Sequence, residues 1–295
     1  MTNAVKPKKT SVVYFVGAGP GDPELLTVKA MRLLKKADVV VYAGSLVEKS
    51  ILKFCRKGVK LRDSSRMHLG EITGALVRAA SSGKKTVRVH SGDPCLYGAL
   101  REQTQVLEEN GVPYEIVPGV SSAFASAAAL KRELTAPMGT QTVIFTRLNG
   151  RTPVPESEGL ASLAAHRATI CVFLSAGMMD KVVAELKKGY APGTPVAVVY
   201  RATWKDQVII KGVLSDIAGR VKAAGITQHA MIIAGAAIGD AALRDASKLY
   251  SKGFTHGCRA APSATFQRNL FRSIKAVAAK VALGAKKPRG AKRKR

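Results

Sequence analysis

Acidic residues are scarce in this 295-residue chain: 20 Asp and Glu stand against 47 Lys and Arg, a formal net charge of +27. Eleven of those cations lie from Ala260 onward with no acid among them, yet residues 1–259 remain basic in their own right. A cationic body of this kind concentrates an anionic substrate or a nucleic acid. Long apolar runs are missing too: none approaches the ~20 residues that a bilayer-spanning helix needs. The first ten residues are polar and basic with no apolar centre, so no secretory signal is expected there. The four cysteines (Cys55, Cys95, Cys171 and Cys258) are widely spaced with no Cys-x-x-Cys pair. That spacing excludes a zinc motif and implies reduced thiols in a cytoplasmic protein. Also lacking are any obvious repeat, any Ser-His-Asp or Cys-His arrangement, and any metal-ligand cluster.

What is present begins with Gly17-Ala18-Gly19-Pro20-Gly21-Asp22-Pro23, set between an apolar run, Val12 to Val16, and a helical pattern, Glu24 to Lys36. Glycines permit a tight turn and close backbone approach, while Asp22-Pro23 reads as an N-cap followed by a first-turn proline. The dinucleotide fingerprint fails because its sixth position is Asp22, an acid where a pyrophosphate needs an uncharged helix N-terminus. The phosphate-loop pattern fails as well, since no Gly-Lys-Ser/Thr follows.

Strands then alternate with helices of about three turns. Strands are expected at Val39 to Tyr42, Val59 to Arg62, Thr86 to His90 and Tyr114 to Val117. Helices are expected at Glu48 to Cys55, Glu71 to Ser81, Tyr97 to Glu109 and Ala123 to Lys131. This order argues for a mostly parallel sheet covered on both faces. A second unit begins near Thr135, with strands at Thr142 to Thr146, Thr169 to Leu174, Pro195 to Tyr200, Gln207 to Lys211 and Ala230 to Ala234. Its helices are expected at Gly159 to His166, Met179 to Lys188 and Leu214 to Ala224. The short link between the third and fourth strands reads as a hairpin, which makes this sheet mixed. The expected organisation is a basic tail over residues 1–10, an α/β domain over 11–135, a second α/β domain over 136–259, and a basic extension over 260–295. The extension combines an amphipathic helical pattern with a disordered tail and suits an acidic protein, RNA or a membrane surface, or no partner at all.

Three loops stand at strand ends in the first unit: Gly17 to Asp22, Ser91-Gly92-Asp93-Pro94 and Pro118-Gly119-Val120-Ser121-Ser122. In an open parallel α/β sheet, ligands bind at the carboxyl ends of strands. Turn chemistry alone accounts for any single one of these loops, but three in register point to a site.

Together these loops resemble the tetrapyrrole (precorrin) methylases. Tyr42-Ala43-Gly44-Ser45-Leu46-Val47, Thr146-Arg147-Leu148-Asn149-Gly150-Arg151-Thr152-Pro153-Val154-Pro155-Glu156 and Tyr200 to Gln207 resemble the precorrin-4 C11-methyltransferase branch. The resemblance runs from about Val12 to Arg259. It implies two α/β domains with S-adenosyl-L-methionine in the cleft between them, usually in a homodimer, acting on a tetrapyrrole rich in carboxylates. By motif, Pro20, Gly92, Asp93, Ser121 and Ser122 would line the cofactor site, with Leu96, Ser175 and Ala202 as further positions. Arginine forks bind carboxylates in pairs of hydrogen bonds, which makes Arg66, Arg147, Arg151 and Arg201 the candidates for substrate binding; a solvated face is the alternative for each. Asp63 and His68 are candidates for proton handling, with a surface role as the alternative. No metal ligand is expected. The rival readings are another precorrin or uroporphyrinogen methylase, an rRNA methylase of the same fold, and a non-catalytic nucleic-acid or membrane binder.

Overall fold

The structure, a computed structural model, describes residues 10–137, 139–150, 152–240, 254 and 255. The expected basic tail and amphipathic extension lie outside the described residues, except for Thr10. Residues up to Ala241 form one compact unit, and Ala242–Arg295 form a second, of which only Phe254 and Thr255 are described.

The first unit holds two five-stranded sheets. In the first, β1 (Val13–Gly17), β2 (Val39–Tyr42), β3 (Lys60–Asp63), β4 (Thr86–His90) and β5 (Tyr114–Val117) are ordered β3-β2-β4-β1-β5, and every pair is parallel. Parallel strands covered on both faces read as continuous apolar runs, and Val39-Val40-Val41-Tyr42 is buried throughout. On one face Val16, Val40, Val87, Val89 and Val117 pack with Ala30 and Leu34 of α1 (Val28–Lys36). On the other, Val13, Phe15, Val39 and Val41 meet Ile72, Leu76 and Ala80 of α2 (Leu69–Ser81) and Leu107 of α3 (Leu100–Glu109).

Three of the helices expected around the first sheet are shorter or tighter than the periodicity suggests. The pattern Glu24 to Lys36 splits into a single 3-10 turn, Pro23–Leu25, and α1, because the Thr27 hydroxyl accepts from the Ala30 N–H at 3.2 Å and starts a new helix. Glu48 to Cys55 is a 3-10 segment, Lys49–Phe54. The helix expected from Tyr97 starts at Leu100, since Tyr97 and Ala99 take left-handed backbone (φ 56° and 47°).

In the second sheet, β6 (Val143–Arg147), β7 (Thr169–Phe173), β8 (Pro195–Tyr200), β9 (Val208–Val213) and β10 (Ala230–Ala234) are ordered β6-β7-β10-β8-β9. Only β6 and β7 pair in parallel, so the sheet is mixed, and β8 and β9 form the expected hairpin. Ile170, Val172, Val196, Val198 and Ile232 face α5 (Leu160–Ala164), α6 (Met179–Leu186) and α7 (Ile217–Ala223). Their alternates Cys171, Ala197, Val199, Met231 and Ile233 face α4 (Ser122–Leu130) through Ala123, Ala125, Ala127 and Leu130. The last helix before Thr135 therefore packs on the second sheet and brings the Pro118 to Ser122 loop with it.

Candidate active site

β4, β1 and β5 are neighbours, so the loops that follow them emerge side by side. Backbone hydrogen bonds zip the first two together: Ala18 N donates to His90 O (2.7 Å), Gly19 N to Gly92 O (3.2 Å) and Gly92 N to Gly19 O (2.9 Å). The third is bolted on by Asp93, whose Oδ2 accepts from Gly119 N (2.9 Å) while Oδ1 accepts from Cys95 N (2.8 Å). A Cβ on Gly17 would stand 2.4 Å from the Gly92 carbonyl oxygen and 2.6 Å from the Gly119 Cα, so only glycine lets these backbones meet.

The second sheet contributes the turn between β8 and β9. The Trp204 indole N–H donates to Pro20 O (2.7 Å), and the Asp22 amide donates to Thr203 Oγ1 (2.9 Å). That amide is therefore not free to receive a phosphate, which agrees with the failed dinucleotide fingerprint. A Cβ on Gly21 would lie 2.2 Å from Trp204 Cδ1, so the indole lies directly against the loop. Arg201 stacks within 5.2 Å of the Tyr200 ring and 5.0 Å of the Trp204 ring, and Nη1 pairs with Asp206 at 2.5 Å.

Between these elements lies a cleft of about 670 Å³, within the range of small-molecule sites. Pro20, Gly92, Asp93, Leu96, Ser121, Ser122, Ser175 and Ala202 all line it, so the eight positions taken from the resemblance converge on one cavity. Ser175 does so with its hydroxyl engaged, donating to Phe173 O (2.7 Å) and accepting from Leu148 N (3.0 Å). Two further features mark the cleft as a binding site. Of eight non-glycine residues with positive φ among the described residues, five (Tyr97, Ala99, Leu174, Arg201 and His229) line it, and such backbone strain gathers at functional sites. Of the five buried side-chain polar atoms without a partner among the described residues, three (His90 Nε2, Ser126 Oγ and Arg201 Nε) belong to residues that line it. Buried polar atoms are normally hydrogen-bonded, so such atoms in a cleft wall are suited to meet a polar ligand.

The remaining candidates sit differently. Of the three candidate arginines that are described, Arg201 alone lines the cleft. Arg147 donates from both Nη atoms to the carbonyls of Thr152 and Pro153, each at 2.7 Å, and so folds its own loop. Arg66 is exposed and outside the lining, and Arg151 lies outside the described residues. Asp63 and His68 do not line the cleft either; each is spent on a local cap. Asp63 Oδ1 accepts from Ser65 N (2.8 Å) and Gly44 N (3.2 Å), and these bonds hold its pKa below the usual carboxylate value. The His68 N–H donates to Glu71 Oε2 (3.0 Å) at the start of α2, with its side chain in solvent. No group of three or more His, Cys, Asp or Glu among the described residues is placed to hold a metal ion.

Arg88 and His90 were not anticipated. Both project from β4 onto the α2–α3 face, line the cleft and are 5% exposed. The available signal was a basic residue at alternate positions of a buried central strand, Thr86-Val87-Arg88-Val89-His90, where apolar side chains are the rule. Burial lowers the Arg88 pKa to about 10. His90 is pushed down to about 3, first by burial and then by the Arg88 charge, although Asp93 pulls the other way.

The family model for Tetrapyrrole (Corrin/Porphyrin) Methylases matches residues 12–218. The chain belongs to the tetrapyrrole methylase family. It is 50% identical over 248 residues to the cobalt-precorrin-4 C(11)-methyltransferase of Methanocaldococcus jannaschii, covering 84% of this chain and 95% of that protein. The solved structure of a cobalt-precorrin-4 methyltransferase superposes with a TM-score of 0.76 at 47% identity, over 80% of this chain and 100% of the other. Uroporphyrin-III C-methyltransferase from Thermus thermophilus, solved with S-adenosylhomocysteine, matches with a TM-score of 0.65 at 31% identity, over 77% of this chain and 99% of the other. As a tetrapyrrole methylase, the chain carries its three glycine loops and the β8–β9 turn inside the matched span. Among the described residues, no helix is long and apolar enough to cross a membrane.

Proposed function

We propose that this protein is an S-adenosyl-L-methionine-dependent C-methyltransferase that acts at C11 of precorrin-4 or cobalt-precorrin-4 in cobalamin biosynthesis. The observation that carries the reading is the convergence on one 670 Å³ cleft of the eight residues that the resemblance suggests for the cofactor, in a chain 50% identical to a cobalt-precorrin-4 C11-methyltransferase. The residues present fit the methyl donor. The cleft has open polar atoms at its wall, apolar surface from Leu96, Ala202 and Met231, and the α4 N-terminal residues Ser121 and Ser122 at its edge. Bound there, the donor supplies an activated sulfonium methyl for in-line displacement by a nucleophilic ring carbon. The chain's own part is then to hold donor and acceptor aligned and to exclude water, which supplies much of the acceleration without a nucleophilic side chain. Arg201, fixed by Asp206 and two rings, is the one of the described candidate arginines placed to meet a macrocycle carboxylate. Any cobalt belongs to the substrate. The protein works in the cytoplasm as a homodimer; exposed Phe124 and Phe145, edge to face at 5.8 Å, support a covered face.

The test is isothermal titration with S-adenosylhomocysteine, alone and with a polycarboxylate porphyrinoid, followed by methyl transfer to cobalt-precorrin-4 read by mass spectrometry. The reading requires product binding that the macrocycle strengthens, and a product one methyl heavier at C11. Cofactor binding indifferent to the macrocycle but sensitive to RNA would move the assignment to an RNA methylase of this fold.

A further inference from the structure

Arg88 carries a charge that the protein does not balance. Its Nε donates to Gln103 Oε1 (3.1 Å) and its Nη1 to Ser64 Oγ (2.9 Å), both neutral acceptors. Nη2 has no hydrogen-bond partner, and no carboxylate lies within ion-pair distance of the guanidinium, among the described residues. Taking an ion out of water without a counter-ion costs several kcal/mol, so a buried charge is normally paired. Here the side chain is 5% exposed in the middle of a parallel sheet, and what remains open to it is the cleft. Beside it, buried His90 is neutral at physiological pH and has Nε2 unpartnered. A guanidinium with an unused N–H edge next to a neutral imidazole is a receptor for a planar anion.

We infer that Arg88, with His90 beside it, is a carboxylate subsite in the cleft floor, supplying the counter-charge that a bound ligand's carboxylate completes. The inference rests on the methyltransferase reading for the identity of the ligands. Two carboxylates are then available, that of the methyl donor's amino-acid end and those on the macrocycle, and Arg88 has the chemistry for either. The neutral struts to Ser64 and Gln103 hold the guanidinium so that its open edge keeps one direction, which lowers the entropy lost when the anion arrives.

The experiment compares wild type, Arg88→Met and Arg88→Lys by titration with three probes: S-adenosylhomocysteine, its decarboxylated amine analogue, and uroporphyrin. Truncating one partner of a buried charged pair weakens binding on the order of 30-fold or more. If the donor's carboxylate occupies the subsite, Arg88→Met loses that much affinity for S-adenosylhomocysteine and little for the decarboxylated analogue, with Arg88→Lys between. If a macrocycle carboxylate occupies it, both nucleoside affinities persist and uroporphyrin binding falls. Each ratio is internal to one variant, so general loosening of the fold cancels, and Arg88→Lys carries the comparison should Arg88→Met not fold. Ratios unchanged for both ligand classes would overturn the inference and leave Arg88 a strut. Wild type that binds uroporphyrin but no S-adenosylhomocysteine would sink the methyl-donor reading, while dependence of uroporphyrin binding on Arg88 would still support the subsite.

Discussion

The contact between Trp204 and Gly21 makes a sharp energetic prediction. In Gly21→Ala the new methyl would lie 2.2 Å from Trp204 Cδ1 and 2.4 Å from Nε1. The indole cannot easily retreat, because its N–H is held by Pro20 O at 2.7 Å and Arg201 stacks on it. Overpacking of this kind costs about 1–3 kcal/mol, or roughly 2–10 °C in Tm for a unit of this size. Trp204→Ala removes a half-buried ring and one hydrogen bond, a loss of about 2 kcal/mol once its partial exposure is allowed for. In the double variant the methyl meets open space, so its penalty disappears; alanine then slightly favours folding by restricting the unfolded chain. Chemical denaturation of the four proteins should therefore show Gly21→Ala costing about 1–3 kcal/mol alone and about nothing beside Trp204→Ala. Affinity for S-adenosylhomocysteine should follow the same pattern, since Pro20 forms part of the cleft wall. Simple additivity of the two substitutions would refute the argument, because it would mean that the indole does not lie on the loop.

Gly92→Arg places a long side chain among Ser121, Ser122 and Val120; S-adenosylhomocysteine binding should vanish by calorimetry while the circular dichroism of the fold persists. Asp93→Asn keeps the shape but weakens two charge-assisted bonds to Cys95 and Gly119, and should cost about 1–3 kcal/mol in denaturation together with weaker cofactor binding. For pH, the sign follows from His90, whose folded pKa of about 3 lies below the usual histidine value of 6.5. The unfolded chain then binds the extra proton, so stability falls as pH drops through the unfolded value, approaching about 1.4 kcal/mol per pH unit. His90→Gln should reduce the fall of urea stability between pH 7 and pH 5, leaving the share of His229, which burial and the Arg201 charge also depress. The depressed carboxylates Asp38 and Asp63 do not act in that window, because their contributions are lost only below their own unfolded values near 4.

Much of the fold is legible because its strands are buried runs bounded by turn residues. Val39–Tyr42, Thr86–His90, Tyr114–Val117, Pro195–Tyr200 and Ala230–Ala234 fall where the apolar pattern puts them. The loops that follow β1, β4 and β5 are legible for the same reason: glycine and small polar residues end each run. Less accessible is whatever depends on a partner distant in sequence. Alanine-rich α4 declares a helix but not which sheet it covers, and it covers the second. The left-handed backbone at Tyr97 and Ala99 follows from tertiary packing rather than propensity. Asp63 carries a reactive carboxylate, yet its neighbour two positions away already uses it as a cap, and His68 holds Glu71 by its backbone amide while its imidazole stays in solvent. Arg88 escaped notice for the opposite reason. A periodicity argument seeks apolar residues in a strand, whereas this strand's information lies in its exceptions.

The hydrogen bonds that join Asp22 to Thr203 and Trp204 to Pro20 span 181 and 184 positions of the chain. During synthesis, the glycine loop is made early and its lock arrives late. At ~5–20 residues per second the interval is roughly 10–40 s. Through that time the first sheet can close, but one wall of the cleft is missing, and Gly21 has no indole to lie against. Binding competence therefore arrives late in the life of the nascent polypeptide. A chain cut short before Trp204 still holds the valines of the first sheet but lacks the wall that Trp204 and residues 227–231 give the cleft.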